Sequence, residues 1–127
     1  MSKKNINAFI FARLDSSRFP RKNLSKIKNH SLLSILFNRA KLCNFDECFL
    51  LTTERSVDDD LCNHANEIGL RYIRGDSFDL TKRTKKAIHE TNTDYFARLN
   101  CDSPFLDSTL INFAIENMGT SIFVSNI

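Results

Sequence analysis

Ala8-Phe9-Ile10-Phe11-Ala12, followed at once by Arg13-Leu14-Asp15-Ser16-Ser17-Arg18-Phe19-Pro20-Arg21-Lys22-Asn23, is the stretch on which the fold turns. A short apolar run without polar alternation suits a strand covered on both faces, the situation of a strand inside a parallel sheet. The residues that follow are polar and cationic and are interrupted by Pro20. The chain is therefore predicted to leave the strand as a long loop over residues 13–29, with a short irregular piece at 24–27.

Outward from this stretch the apolar pattern alternates between two periods. Ser31 caps a helix in which Leu32, Leu33, Leu36, Phe37 and Ala40 recur at helical spacing, and Arg39 and Lys41 suit its C-terminal dipole. Residues 47–53 (ECFLLTT) read as a second strand. Ser56 with Asp59 three residues on resembles a capping box, and Val57, Leu61, Ala65 and Ile68 form the buried stripe of a helix that Gly69 stops. Residues 70–74 are a third strand, Asp79 or Thr81 opens a basic helix through Thr91, and residues 94–99 are a fourth strand. Asp107 or Ser108 caps a further helix, and residues 121–124 begin a fifth strand. Such alternation predicts an α/β fold with a mostly parallel sheet and helices on both faces, in one domain over residues 1–127.

The chain has 127 residues, 42% hydrophobic and 26% charged, with three Gly and two Pro, which excludes collagenous and low-complexity classes. No apolar run approaches the roughly 20 residues of a membrane span. Met1-Ser2-Lys3-Lys4-Asn5 leads into the first strand without a small-residue cleavage site, so a cytoplasmic protein is expected. Cys43, Cys48, Cys62 and Cys101 are irregularly spaced, which predicts reduced, mostly buried thiols. Cys62-x-His64 invites a zinc reading, but no C-x-x-C pair supports it, and no structural metal is expected. The net charge of +3 hides an asymmetry: residues 1–41 carry a balance of +9 and residues 42–127 one of −6. The basic part faces nucleic acid, a phosphate-bearing small molecule, or solvent alone.

Position narrows the choice. In open parallel sheets the binding crevice lies outside the carboxyl ends of the strands. Four segments emerge there: Ala12-Arg13 onward, Thr52-Thr53, Arg74-Gly75 and Asn100-Cys101-Asp102. The first carries Arg13, Arg18, Arg21 and Lys22 together. Guanidinium forks take phosphate oxygens in pairs, lysine adds a mobile point charge, and Ser hydroxyls with loop N–H groups complete an anion cradle, so triphosphate is the best-matched ligand. Neither a Walker loop nor a G-x-G-x-x-G fingerprint is present. Asp102, just past a strand end and facing a polyanion site, is a candidate ligand for Mg²⁺, a hard cation that shares its shell with water and phosphate. The nucleic-acid alternative finds no recognition helix, RNP-type aromatic pattern or zinc finger.

The segment from Ala12 to Asn23 resembles the A-R-x-x-S-x-R-x-P-x-K-N motif of the cytidylyltransferases that make CMP-activated sugars, the spore coat polysaccharide branch most of all. The likeness continues through Thr52-Thr53, the Asp58-Asp59-Asp60 helix start, Gly69, Arg74-Gly75, Asp79 with Arg83, and Arg98-Leu99-Asn100-Cys101-Asp102-Ser103-Pro104. The resemblance implies a Rossmann-like nucleotidyltransferase fold, CTP as donor, Mg²⁺ as cofactor and a sugar acid or related sugar as acceptor, with pyrophosphate released in surface-polysaccharide biosynthesis. It further implies that Arg18 and Lys22 act on the triphosphate with a metal on Asp102. Ala12, Arg13 and Ser16 then position phosphates or ribose, Thr52, Thr53 and Arg74 lie where relatives hold the cytosine, and Asn100 belongs to the nucleotide-contacting set. The chain departs from the pattern at Asp15, Arg21 and Cys101, where the family has glycine. Catalytic relatives extend further, so residues 1–127 correspond to a domain lacking their C-terminal half. A strand near the chain end favours self-association as a homodimer. The alternative is a degenerate, non-catalytic relative that binds nucleotide or a protein partner.

Overall fold

In the computed structural model, which describes residues 5–14, 26–27, 30–100 and 112, the apolar run at the head of the chain becomes the middle of a sheet. The elements are β1 (Ile6–Phe11), β2 (Lys26–Ile27), β3 (His30–Ser31), α1 (Leu32–Ala40), β4 (Cys48–Thr53), α2 (Asp59–Ile68), β5 (Arg71–Gly75), α3 (Leu80–Thr91) and β6 (Tyr95–Asn100). The main sheet has the order β5-β4-β1-β6, with every pairing parallel. An α/β fold with a parallel sheet is thus the observed architecture.

Both faces of β1 are covered, which explains its unbroken hydrophobicity. On one face Ala8, Ile10, Leu50, Ala97 and Leu99 pack against Leu33, Leu36, Phe37 and Ala40 of α1 and Leu61 and Ala65 of α2. On the other, Phe9, Phe11, Phe49, Leu51 and Ile73 meet Ala87 of α3, and Phe9 stacks on Phe96 with ring centroids 4.9 Å apart. The strand register at the amino end is fixed by polar side chains. Buried Asn7 donates from Nδ2 to Thr93 Oγ1 (2.8 Å) and accepts at Oδ1 from Glu47 N (3.1 Å), so one amide ties β1 to both its neighbours.

The helix ends follow local chemistry. Ser31 Oγ accepts from Ser34 N at 3.0 Å, and Asp79 Oδ1 accepts from Lys82 N at 3.1 Å, so both act as the expected caps. Gly69 closes α2 with φ +79°, a conformation that a Cβ disfavours. The start of α2 corrects the expectation. Ser56 does not cap the α-helix but opens a 3-10 turn, Ser56–Asp58, and the helix begins at Asp59. The inward phase is also shifted by one residue: Val57 is 41% exposed, whereas Asp58 is fully enclosed. The expected irregular piece at 24–27 instead contains β2, paired antiparallel with β3.

Cys43, Cys48 and Cys62 are free thiols. Burial, reinforced by neighbouring Cys43, pushes the Cys48 thiol up to about 12, which suits a packed rather than a reactive sulfur. The predicted helix after Asp107 or Ser108, the strand at 121–124 and Cys101 lie outside the described residues, apart from helical Asn112, whose Oδ1 accepts from Asn44 N at 2.6 Å. No helix among the described residues is long and apolar enough to cross a membrane.

Candidate functional site

The strand order places a crevice. Successive strands step outward from β1 through β4 to β5, and the chain then returns to lay β6 on the opposite side of β1. Loops at such a reversal diverge at the carboxyl ends of the strands, which leaves room for a ligand there. Phe11 is level with Leu51 on one neighbour and Asn100 on the other, and Thr53 is level with Gly75. Ala12, Arg13, Thr53, Arg74 and Asn100 consequently gather at one end of the sheet. Ala12 is buried, with its N–H on Leu51 O at 3.2 Å, while Arg13 and Asn100 are exposed.

Asp58 is the hub of this end. Its Oδ1 accepts from Leu14 N at 2.6 Å, and its Oδ2 accepts from the Thr53 hydroxyl and from Arg55 Nε (3.2 Å) and Nη2 (3.0 Å). Arg55 Nη2 also donates to Leu14 O at 2.7 Å. A buried carboxylate persists only when its charge is paired and its lone pairs are filled, and here both conditions are met. The result is that both peptide groups flanking the Leu14 side chain are fixed, one residue before the cationic loop continues at Asp15. The sequence reading missed Asp58 because three consecutive acids suggested only a helix start. The available signal was helical phase: Asp58, Leu61, Cys62 and Ala65 make one buried stripe.

Arg74 braces the same end from β5. Its Nε donates to Thr53 O and its Nη2 to Arg55 O, both at 2.8 Å, and its Nη1 pairs with Asp59 Oδ1 at 2.8 Å. Burial is the largest single influence and opposes the Arg74 charge, but the Asp59 hydrogen bond together with the negative potential of Cys62, Asp59 and Asp58 outweighs it and raises the Arg74 pKa. Of the three residues expected near cytosine, Thr53 gives its hydroxyl to Asp58 and Arg74 gives its nitrogens to the 53–55 turn and Asp59. Thr52 Oγ1 is the only enclosed side-chain N or O atom without a partner among the described residues. Ser16, Arg18, Lys22 and Asp102 lie outside the described residues.

Arg83, on α3, enters the same region. Its side chain passes over Gly75, where a Cβ would fall 2.8 Å from Arg83 Cγ and 3.1 Å from its Cα. Its Nε donates to Asp76 O at 3.1 Å, and Arg13 Nη1 reaches Ser77 O at 3.5 Å. The Asp76 carboxylate accepts from Phe78 N (2.9 Å) and Asp79 N (2.7 Å). Those N–H groups, Asp79 first, hold its pKa below the ordinary carboxylate range. Their contribution to loop order is therefore present above the unfolded pKa and lost as pH falls through the lowered folded value. Gly75→Ala is expected to destabilise the protein by about 1–3 kcal/mol, because the added methyl meets the α3 backbone as well as a movable side chain. Thermal unfolding of the variant checks this, and an unchanged melting temperature would contradict it.

Among the described residues no group of three or more His, Cys, Asp or Glu is arranged to hold a metal. Asp58 is taken up by protein donors, and Asp76 Oδ1 by the backbone N–H groups of Phe78 and Asp79.

A parallel sheet with helices on both faces and guanidinium groups gathered at its carboxyl end defines a doubly wound α/β protein, a class whose ligand crevice lies at that end. A family model described as Cytidylyltransferase matches residues 8–124, and the chain belongs to that family. It is 31% identical over 112 residues to the spore coat polysaccharide biosynthesis protein SpsF of Bacillus subtilis (strain 168), covering 84% of this chain and 47% of that protein. It is 27% identical over 114 residues to the 3-deoxy-manno-octulosonate cytidylyltransferase of Solibacter usitatus (strain Ellin6076), covering 88% and 44% respectively. Among solved structures, a cytidylyltransferase from Leptospira borgpetersenii serovar Hardjo-bovis (strain JB197) superposes with a TM-score of 0.86 at 28% identity, over 94% of this chain and 50% of that one. The chain thus spans about half the length of the relatives it matches.

Proposed function

We propose that the protein transfers CMP from CTP to a sugar acid or related sugar, releasing pyrophosphate, as a step in making a surface polysaccharide. The observation that carries this reading is the family match over residues 8–124, which includes the cationic loop and all four strand ends of the crevice. A solved CMP:2-keto-3-deoxy-manno-octonic acid synthetase in complex with CTP shares the fold, with a TM-score of 0.79 at 21% identity.

In this reading the acceptor hydroxyl oxygen bonds to the α-phosphorus and gives up its proton to water, as the bond from that phosphorus to the oxygen bridging to the β-phosphorus breaks and pyrophosphate departs with the bonding electrons. Arg18 and Lys22 bind the triphosphate and offset the charge that develops on its oxygens. Ala12, Arg13 and Ser16 orient phosphate and ribose, while Thr52, Thr53, Arg74 and Asn100 shape the nucleotide end of the crevice. Asp58 and Arg55 hold Leu14, the point from which the loop departs. Asp102, two residues past the end of β6, fits Mg²⁺ by charge and hardness, and the bound cation supplies Lewis-acid neutralisation of the triphosphate.

The test is pyrophosphate release by the 127-residue chain with CTP, Mg²⁺ and a panel of sugar acids. Release is expected with CTP and at least one sugar acid and not with ATP. Binding of CTP without release from any acceptor would contradict catalysis and leave a nucleotide-binding relative.

A further inference from the structure

The basic helix α3 presents Lys82, Arg83, Lys85 and Lys86, and three of these belong to its solvated side. Arg83 does not. It is 5% exposed, and it sits on the stripe that joins Leu80 to Ala87. Its Nε is used by Asp76 O, but its two terminal nitrogens have no hydrogen-bond or ion-pair partner among the described residues. Unlike Thr52 Oγ1, they are not fully enclosed, so they keep some contact with solvent. The charges that act on Arg83 are those of Arg13, Asp58, Arg55 and Asp76, which belong to the ends and loops of β1, β4 and β5. Through its Nε bond to Asp76 O and its passage over Gly75, the side chain reaches from α3 to the carboxyl end of β5.

A guanidinium that is buried and lacks an ion pair carries a desolvation cost that a bound anion would offset. Neither nearby carboxylate forms an ion pair with it among the described residues: Asp58 is taken by Leu14, Thr53 and Arg55, and Asp76 Oδ1 accepts from Phe78 N and Asp79 N. Arg13 and Arg55 add positive potential at the same place. The Nε bond to Asp76 O holds one edge of the planar group, so its remaining edge is presented as a fork for two oxygens. We propose that Arg83 is a further substrate-binding residue, whose terminal nitrogens take an oxyanion of the substrate in the crevice. The inference rests on the cytidylyltransferase reading for the identity of that substrate. The oxyanion is a phosphate of the nucleotide or the carboxylate of the acceptor.

The two sources are separated by calorimetric titration of the 127-residue chain, wild type and Arg83→Gln, with CTP, cytidine, inorganic pyrophosphate and a 3-deoxy-2-keto sugar acid. Arg83→Gln should weaken the anion that Arg83 holds by roughly tenfold to a hundredfold and leave uncharged cytidine within about twofold, with Arg83→Lys retaining part of the affinity. Loss confined to CTP and pyrophosphate assigns the phosphate, and loss confined to the sugar acid assigns the carboxylate. Wild-type CTP binding that Arg83→Gln does not alter keeps the nucleotide reading and overturns this inference. Equal loss of cytidine would also overturn it, showing that Arg83 only supports the crevice. A wild type blind to CTP that binds the sugar acid through Arg83 would do the reverse. If Arg83→Gln fails to fold, the guanidinium resonances of wild-type Arg83 decide: they should shift on adding the anion, and stationary resonances would overturn the assignment.

Discussion

Asp58→Ala should lower the stability of the protein by about 3–5 kcal/mol, the usual cost of leaving one partner of a buried ion pair behind. For a domain of this size that is a fall in melting temperature on the order of 10 °C. The size follows from what remains after the carboxylate is gone. Arg55 keeps its charge, the Thr53 hydroxyl loses its acceptor and Leu14 N loses the bond that anchors the loop. Removing the stranded charge should recover part of the loss, so Arg55→Leu with Asp58→Ala is expected to be less destabilised than the two single effects added together. Denaturant unfolding of the four proteins in this cycle measures the coupling. Full additivity, or a melting temperature for Asp58→Ala within about 2 °C of the parent, would show that the hub is not what holds the crevice end.

The second large effect concerns the chemistry. Asp102→Asn is expected to reduce pyrophosphate release by about a hundredfold or more, since a neutral amide is a poor ligand for a hard dication and transition-state charge would go unneutralised. It should also abolish the dependence of CTP binding on Mg²⁺. Arg18→Ala and Lys22→Ala act differently, each removing one charge-assisted contact and weakening CTP by roughly 1.5–3 kcal/mol. The contrast is diagnostic: the loop variants should fail chiefly in affinity and the aspartate variant in metal dependence. Persistent Mg²⁺ dependence in Asp102→Asn would remove the metal assignment, and unchanged CTP affinity in both loop variants would remove the triphosphate role of the loop.

Much of this architecture is legible in the sequence, for reasons that can be named. The run from Ala8 to Ala12 is apolar on both faces because helices cover both faces of β1, and such runs betray a central parallel strand. Ser31 and Asp79 are visible as caps because capping is local chemistry. Strand neighbours are not local. Nothing in the spacing of the four strands states that β6 returns to the far side of β1, although that return is what opens the crevice. Asp58 was obscured by Asp59 and Asp60, and only its phase with Leu61 and Ala65 distinguishes the inward acid. Arg83 is marked in the sequence by the family likeness it shares with Asp79, but its inward turn is not, because it stands among lysines. A long side chain on a helix can lie along the surface or cross to a neighbouring strand, and Gly75, without a Cβ, is what permits the crossing.

The most direct test of the central claim, that the carboxyl ends of these strands with their cationic loop bind a nucleoside triphosphate, is calorimetric titration of the 127-residue chain with CTP in the presence and absence of Mg²⁺. One site that tightens with Mg²⁺, prefers CTP over CMP and cytidine, and weakens in Arg18→Ala is the predicted result. No heat of binding and no shift in melting temperature at millimolar Mg²⁺ and CTP would contradict it, because ligand at about a hundred times its Kd should stabilise the fold by about 2.7 kcal/mol.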